Sequence, residues 1–257
     1  MKKLHDVQPV WHAVVWIVAY VLLVSVGDWA SELFGEPNSA TAPLLLVFSI
    51  ALVLYVIRNG WARRYGLRPI RRDQFRGTLL YLPLAVLVVL QFANGFRERL
   101  DLMTVLLIIL LMIGVGIVEE VLFRGFLFRA ILNEGSLARA VAISGVTFGI
   151  GHILNLARGY TGTEQIIQVA GAIVIGVVLT LLFAVSGTIV PLIAFHALFN
   201  IGGSLTEASA ESEWRMLGVT VIIGAAYAVY LAMVLRRRGV HPTFSDDPSP
   251  AGESAQH

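Results

Sequence analysis

The chain has 257 residues, of which 57% are apolar and only 14% are charged. Soluble domains carry about 25% charged residues, so this composition excludes an ordinary soluble globular protein. The formal net charge is +2, and the absence of cysteine excludes disulfide bonds, a thiolate nucleophile and cysteine-ligated metal clusters.

Long apolar runs without strand-like alternation predict about eight transmembrane helices, because each crossing takes roughly 20 residues. In chain order they lie near Trp11–Val26, Pro43–Ile57, Thr78–Phe92, Leu102–Phe128, Ala140–Leu156, Ile166–Val185, Thr188–Ile201 and Met216–Leu235. The seventh run is short for a full crossing, which is compatible with a tilted or partly crossing helix. The sequence thus predicts an all-α polytopic membrane bundle in one domain, residues 1–238. Residues 239–257 have no apolar period and predict a disordered cytoplasmic tail.

The arginines predict how the helices are oriented in the membrane. Seven lie between the second and third runs: Arg58, Arg63, Arg64, Arg68, Arg71, Arg72 and Arg76. The positive-inside rule places this loop in the cytoplasm, and alternation from it places both chain termini there as well. An alternative role for the loop is binding anionic lipid head groups. Only two of the 19 basic residues are lysines, a composition that favours a prokaryotic cell membrane.

Three of the predicted helices carry ionisable or amide side chains at membrane depth, where such groups are costly and usually functional. They are Glu119, Glu120 and Arg124 on the fourth run, His152 on the fifth, and His196 and Asn200 on the seventh. At the helical rise per residue, Glu119 and His196 lie about 13 Å from the cytoplasmic ends of their helices, and His152 about 20 Å. Similar depth is what a common site requires.

The spacing of the polar residues within each helix suggests a different role for each of them. Glu120 and Arg124 are four residues apart, so they share a helix face and can form an ion pair. Glu119 points about 100° away from Glu120. One glutamate can therefore be held by the arginine while the other faces a cavity as a general base. His196 and Asn200 are also four residues apart and can both donate hydrogen bonds to a developing oxyanion.

Each of these residues also has a purely structural interpretation when it is taken alone. The Glu120–Arg124 pair is then a structural ion pair, His152 a core histidine bonded to a backbone carbonyl, and Asn200 an interhelical hydrogen-bonding residue. Gly149 and Gly151 beside the histidine predict the close approach of a neighbouring helix. The coincidence of so many costly groups at one depth nevertheless favours a functional polar cavity.

Three motifs together resemble those of the CAAX-protease and bacteriocin-processing (CPBP or Abi) family of intramembrane glutamic endopeptidases. They are Glu-Glu-x-x-x-Arg starting at Glu119, Phe-x-x-x-His from Phe148 to His152, and His-x-x-x-Asn starting at His196, all within residues 102–201. The resemblance implies hydrolysis of a peptide bond near the cytoplasmic face. The implied partners are the lipid bilayer and a membrane-held peptide or protein tail as substrate; no nucleic acid is expected.

The resemblance also implies a role for each motif residue. Glu119 would activate the attacking water, and His152 would orient it or share its proton. His196 and Asn200 would stabilise the oxyanion of the tetrahedral intermediate. The glutamate–arginine pair would position the base. The supporting positions are Glu120, Arg124 and Phe148.

A metal-dependent mechanism is the less favoured alternative. Glu119, His152 and His196 match a three-ligand zinc site with an open fourth position. The helical His-Glu-x-x-His signature of zinc peptidases is absent from the sequence, and a glutamate base needs no metal. We therefore expect no cofactor.

Other classes of membrane protein compete with this interpretation. A rhomboid-type serine peptidase would need a Gly-x-Ser-Gly nucleophile, and the nearest matches are at Ser144, two turns before His152, and at Ser186. A presenilin-type Gly-x-Gly-Asp motif does not occur. A transporter or proton relay could use the same buried groups, and so could a non-catalytic immunity or scaffold protein. Loss or retention of the phenotype in Glu119→Ala separates catalysis from binding.

Overall fold

The computed structural model describes residues 1–68, 79–159, 162–207 and 209–238, and these residues are almost entirely helical. Their α-helices, in chain order, are α1 (Lys2–Val7), α2 (Pro9–Phe34), α3 (Thr41–Arg58), α4 (Leu82–Gln91), α5 (Leu102–Glu119), α6 (Phe128–Glu134), α7 (Leu137–Gly151), α8 (Gly162–Ser186), α9 (Val190–Leu205) and α10 (Ala210–Arg238). The described segments contain no strand. The all-α bundle predicted from the sequence is confirmed. The predicted disordered tail, 239–257, lies outside the described residues.

Six helical stretches in the described part of the chain are long and apolar enough to cross a membrane. They are Pro9–Phe34, Thr41–Arg58, Leu102–Glu134, Leu137–Leu156, Gly162–Ser186 and Ala210–Arg237. The two other predicted runs form shorter apolar helices, Leu79–Asn94 and Val190–Leu205. Each predicted run is therefore helical, and the chain is an integral multi-pass membrane protein. The number of complete crossings and the sides of the termini stay predictions.

The bundle exposes many large apolar side chains, and within its largely apolar core it also buries several polar ones. On α2, Trp11, Leu22 and Trp29 are between 60% and 62% exposed. In a bilayer these side chains contact lipid instead of water, so their exposure costs nothing. Glu120 and Arg124, by contrast, are fully buried, and their surroundings form the candidate site.

Glycines bring α7 and α8 into close contact. A Cβ at Gly149 would overlap Cγ1 of Ile173 and lie 2.7 Å from its backbone nitrogen, and one at Gly145 would lie 2.9 Å from the nitrogen of Val177. Only a hydrogen fits at these positions, so the predicted packing role of Gly149 is confirmed. The same prediction for Gly151 is wrong, because a Cβ there would meet no described atom within 4 Å.

A second close approach joins α5 to α9. A Cβ at Gly116 would lie 3.1 Å from the carbonyl oxygen of Ile193 and 3.2 Å from the nitrogen of Ala197. Glu119 and Glu120 follow Gly116 by about one turn, and His196 adjoins Ala197. The small residue therefore allows the two glutamates to reach the histidine.

Candidate active site

The chain leaves regular α-helix where the first motif begins. Glu120–Leu127 is a π-helix inserted between α5 and α6, and all eight of its residues are buried. In this segment the backbone N–H of Phe128 donates to the carbonyl of Phe123. Such π segments are rare and frequently occur at functional sites. The sequence predicted one regular helix through Phe128, because apolar spacing does not distinguish a π turn from an α turn.

Glu120 and Arg124 form the ion pair that their spacing predicts. Nη1 of Arg124 donates to Oε1 of Glu120 at 2.9 Å, and both side chains are fully buried. Nη2 of Arg124 donates to the carbonyl of Gly176 on α8 at 3.3 Å. The guanidinium also lies 4.3 Å from the centre of the Phe148 ring, within cation–π range. The arginine therefore ties the π-helix to both α7 and α8.

His196 connects the two adjacent glutamates. Its Nδ1 lies 2.9 Å from Oε1 of Glu120, and its Nε2 lies 3.5 Å from Oε2 of Glu119. An ionised carboxylate can accept hydrogen bonds but cannot donate them. A ring protonated at Nδ1 therefore donates to Glu120. The sequence predicted a similar depth for His196 and Glu119, and the structure places the two side chains next to each other.

Glu119 has different partners on its two oxygens. Oε1 accepts a hydrogen bond of 2.7 Å from the hydroxyl of Tyr20 on α2. Oε2 is buried and has no hydrogen-bond partner within the described residues. A buried carboxylate oxygen without a donor is costly and remains available to accept a proton. Oε2 of Glu120 is likewise buried without a hydrogen-bond partner among the described residues, but that carboxylate is paired with Arg124 through its Oε1.

The Phe148 ring lies between the polar groups of three different elements. Its centre is 5.2 Å from the His152 ring, 5.5 Å from the His196 ring and 4.3 Å from Cζ of Arg124. The ring is itself buried. Its supporting position in the motif is therefore a packing position, which fixes where the two histidines and the guanidinium lie.

His152 is half-buried at the carboxyl end of α7, where a 3-10 segment, His152–Arg158, begins. Its Nδ1 lies 3.1 Å from the carbonyl oxygen of Phe148, which is the structural contact considered from the sequence. With the proton on Nδ1, the other nitrogen, Nε2, carries a lone pair that can accept a proton. Among the described residues no hydrogen bond or ion pair joins His152 to Glu119.

Asn200 lies one turn after His196 on α9 and is half-buried. Its amide makes no hydrogen bond with any other described residue, so the interhelical hydrogen bond considered from the sequence is not observed. An amide that offers two N–H donors and has no partner among the described residues is available to a ligand.

Comparison with known families bears directly on these motifs. Residues 101–202 match the Rce1-like family model, described as type II CAAX prenyl endopeptidase. The family resemblance is confirmed. The Rce1-like segment begins just before α5, ends within α9, and contains every motif residue from Glu119 to Asn200. No curated protein and no solved structure gives a significant match to the chain.

The serine alternative has little support from the geometry of the Rce1-like segment. Ser144 is fully buried, and its hydroxyl donates to the carbonyl of Phe123 in the π-helix at 2.9 Å. The Ser144 hydroxyl thus provides a hydrogen-bond donor for a backbone carbonyl of the π-helix. No hydrogen bond among the described residues joins Ser144 to His152, as a general base would require.

The described residues do not contain three histidine, aspartate or glutamate side chains grouped so that they could hold a metal ion. The zinc alternative of Glu119, His152 and His196 therefore has no geometric support. The expectation that the Rce1-like segment works without a cofactor stays a prediction.

Sequence reasoning missed one residue of the site, Tyr20. It lies outside the Rce1-like segment, 99 residues before Glu119. A hydroxyl within the apolar run of α2 is the only local signal, and tyrosines are common in membrane helices. No motif or spacing connects α2 to the glutamates, so this contact could be found only from the packed structure.

Proposed function

We propose that this chain is an intramembrane endopeptidase that uses Glu119 to activate water against a peptide bond. One observation carries the proposal: the buried Oε2 of Glu119 has no hydrogen-bond donor among the described residues, while Oε1 is anchored at 2.7 Å. A general base needs a fixed carboxylate with a free lone pair within reach of its proton donor. The match of residues 101–202 to a peptidase family supports the same chemistry.

The proposed reaction has two steps. Oε2 of Glu119 takes a proton from water as the water oxygen bonds to the scissile carbonyl carbon, and the carbonyl electrons move onto its oxygen. The tetrahedral intermediate then collapses, the C–N bond breaks, and the proton on Glu119 passes to the departing amine nitrogen. The products are a carboxyl group and an amine, and Glu119 is again a carboxylate.

His196 and Asn200 are proposed to stabilise the oxyanion. Nε2 of His196 lies 3.5 Å from Oε2 of Glu119, so the imidazole faces the carboxylate before reaction. The role requires a proton on both ring nitrogens of His196, so that Nδ1–H donates to Glu120 and Nε2–H is free to donate to the new oxyanion once the proton of water has neutralised Glu119. The Asn200 amide, one turn along α9, adds a second donor. Donors of this kind stabilise the charge that develops in the transition state.

His152 is proposed to orient the attacking water. Its Nδ1 is engaged with the carbonyl of Phe148 at 3.1 Å, which fixes the ring and leaves Nε2 to accept a hydrogen bond. A water held by Nε2 of His152 and Oε2 of Glu119 would have its lone pair directed at the substrate. No metal is required for this arrangement.

The proposed substrate is a membrane-held peptide or protein tail cut near the cytoplasmic face. The arginine distribution supports that side, because the positive-inside rule places the basic loop after α3 in the cytoplasm. The matched family is described as a CAAX prenyl endopeptidase. A prenylated tail is one member of the proposed class, and the composition favours a prokaryotic cell membrane as the setting.

Comparative peptidomics of the native membrane tests the function even while the substrate is unidentified. Wild type is compared with Glu119→Gln, which removes the base and keeps the side-chain shape, at matched expression. Glu134→Gln serves as the control, since it makes the same change at an exposed glutamate of α6. We expect at least one peptide that is cut in wild type and Glu134→Gln and left intact in Glu119→Gln. Identical peptidomes with a properly inserted variant would instead favour a binding or transport role.

A further inference from the structure

The contact between Tyr20 and Glu119 joins two parts of the chain that no motif relates. Tyr20 is half-buried on α2, and its hydroxyl donates to Oε1 of Glu119 at 2.7 Å. The matched family segment begins at residue 101, so α2 lies wholly outside it. The distance is that of a charge-assisted O–H···O⁻ hydrogen bond, which is stronger than one between neutral groups.

The two oxygens of Glu119 are distinguished by this contact. The tyrosine hydroxyl holds Oε1, whereas Oε2 faces Nε2 of His196 at 3.5 Å and has no hydrogen bond within the described residues. Glu120 cannot provide the same anchor, because it is itself an acceptor, bound to Arg124 and His196 through its own Oε1. The orientation of the Glu119 carboxylate therefore depends on α2.

We propose that Tyr20 is a positioning residue of the active site, supplied by α2 from outside the family segment. Its hydroxyl holds Oε1 of Glu119, so that Oε2 is the oxygen presented to water. The inference rests on the proposed function of Glu119 as the base. It makes α2 part of the catalytic unit, in addition to its role at the surface of the bundle.

Tyr20→Phe tests the proposal, because it removes one hydroxyl and keeps the ring that packs between the helices. A displacement of about 1 Å in a reacting group can cost on the order of 10²-fold in rate. We expect kcat to fall between about tenfold and 10²-fold with KM and the melting temperature of the purified protein unchanged. The assay uses the full chain in lipid vesicles and a peptide identified by the membrane comparison above.

Tyr55→Phe is the matched control. The Tyr55 hydroxyl on α3 lies 3.1 Å from Nε2 of His12 on α2. Like Tyr20→Phe, this variant removes one hydrogen bond between a tyrosine hydroxyl and a neighbouring helix that involves α2, but it leaves the contacts of Glu119 unchanged. We expect Tyr55→Phe to keep the wild-type kcat. An equal loss of kcat in both variants would assign the effect to the attachment of α2 and overturn the inference.

Failure of this inference is distinguishable from failure of the proposed function. If Tyr20→Phe turns over like wild type while Glu119→Gln is inactive, the positioning role is wrong and the glutamate base stands. If KM or the melting temperature changes together with kcat, Tyr20 has a structural role and the inference is overturned. If Glu119→Gln turns over like wild type, the proposed function itself is wrong.

Discussion

Glu119 and Glu120 are neighbours in sequence but have different chemical surroundings. Oε1 of Glu120 accepts hydrogen bonds from Arg124 and from Nδ1 of His196, and a carboxylate held by two cationic or polar donors is a poor partner for a water proton. Glu119 accepts instead from the neutral hydroxyl of Tyr20, while Oε2 of each glutamate has no hydrogen-bond partner within the described residues. The difference supports the proposal that Glu119 is the base and that Glu120 is a structural charge.

The proposed oxyanion site makes a prediction for Asn200. We expect Asn200→Ala to lower kcat on the order of 10²- to 10³-fold while leaving KM unchanged, because a donor that acts on the developing charge stabilises only the transition state. Steady-state kinetics of the full chain in vesicles measures both constants.

The control for this variant is Asn59→Ala. Nδ2 of Asn59 donates to the carbonyl of Tyr55 at the end of α3, where the proposed reaction uses no residue. A loss confined to KM in Asn200→Ala would make Asn200 a substrate-binding residue and remove it from the oxyanion site.

The sequence alone predicted side-chain contacts where both partners lie on the same helix. The four-residue spacing predicted the pair of Glu120 and Arg124, because helical geometry places such residues on one face. It could not choose the glutamate that contacts Tyr20, since that contact depends on how α2 packs against α5. The contacts of His196 with the two glutamates were predictable only in part. Their similar depth suggested that they lie close together, but the distances come from the structure.

At the scale of elements, glycines determine how closely the site-bearing helices approach. Gly145 and Gly149 seat α7 against α8, and Gly116 seats α5 against α9. Small residues have this role in membrane bundles because lipid provides no hydrophobic force between helices, so packing contacts must. Through these contacts Phe148 and His196 reach the buried charges of the π-helix.

Gly149→Ala tests this packing against a chemically identical change two residues away. A methyl group at Gly149 would lie 2.7 Å from the backbone nitrogen of Ile173, while one at Gly151 would meet no described atom within 4 Å. We expect Gly149→Ala to destabilise the fold by about 1–3 kcal/mol, the usual cost of overpacking. Gly151→Ala should be neutral or stabilising, because alanine is favoured over glycine by up to about 1 kcal/mol in a helix.

Thermal unfolding of the two variants in one detergent measures this difference directly. The packing account requires a lower melting temperature for Gly149→Ala than for Gly151→Ala. Equal melting temperatures would mean that α7 can move away from α8 at little cost, and that the glycine is not what sets their separation.

Element positions were more predictable than element ends. All eight apolar runs are helical, but α2 continues to Phe34, eight residues beyond the predicted end at Val26. The extension contains Asp28 and Ser31, which bond to Thr41 at the start of α3. Hydropathy detects the part of a helix that lipid surrounds, and it does not detect a polar extension that a neighbouring helix stabilises.

At the scale of the whole molecule, the bundle combines an exposed apolar surface with a cluster of polar side chains buried inside an apolar core. The composition predicted the first feature, since 57% apolar residues exceed what a soluble core needs. The buried polar cluster depends on contacts between residues far apart in the sequence. The hydrogen bond from Tyr20 to Glu119, for example, joins residues 99 positions apart. Local patterns do not encode such contacts, which is why the sequence indicated a polar cavity and could not give its complete membership.

Turnover by purified Glu119→Gln tests the central claim most directly. Wild type, Glu119→Gln and Glu134→Gln, each as the full chain in lipid vesicles, are compared on one peptide cut by wild type, with the melting temperature checked for each. The glutamate-base account predicts that Glu119→Gln melts like wild type but has almost no turnover, while Glu134→Gln matches wild type in both. Wild-type cleavage by a folded Glu119→Gln would contradict the account.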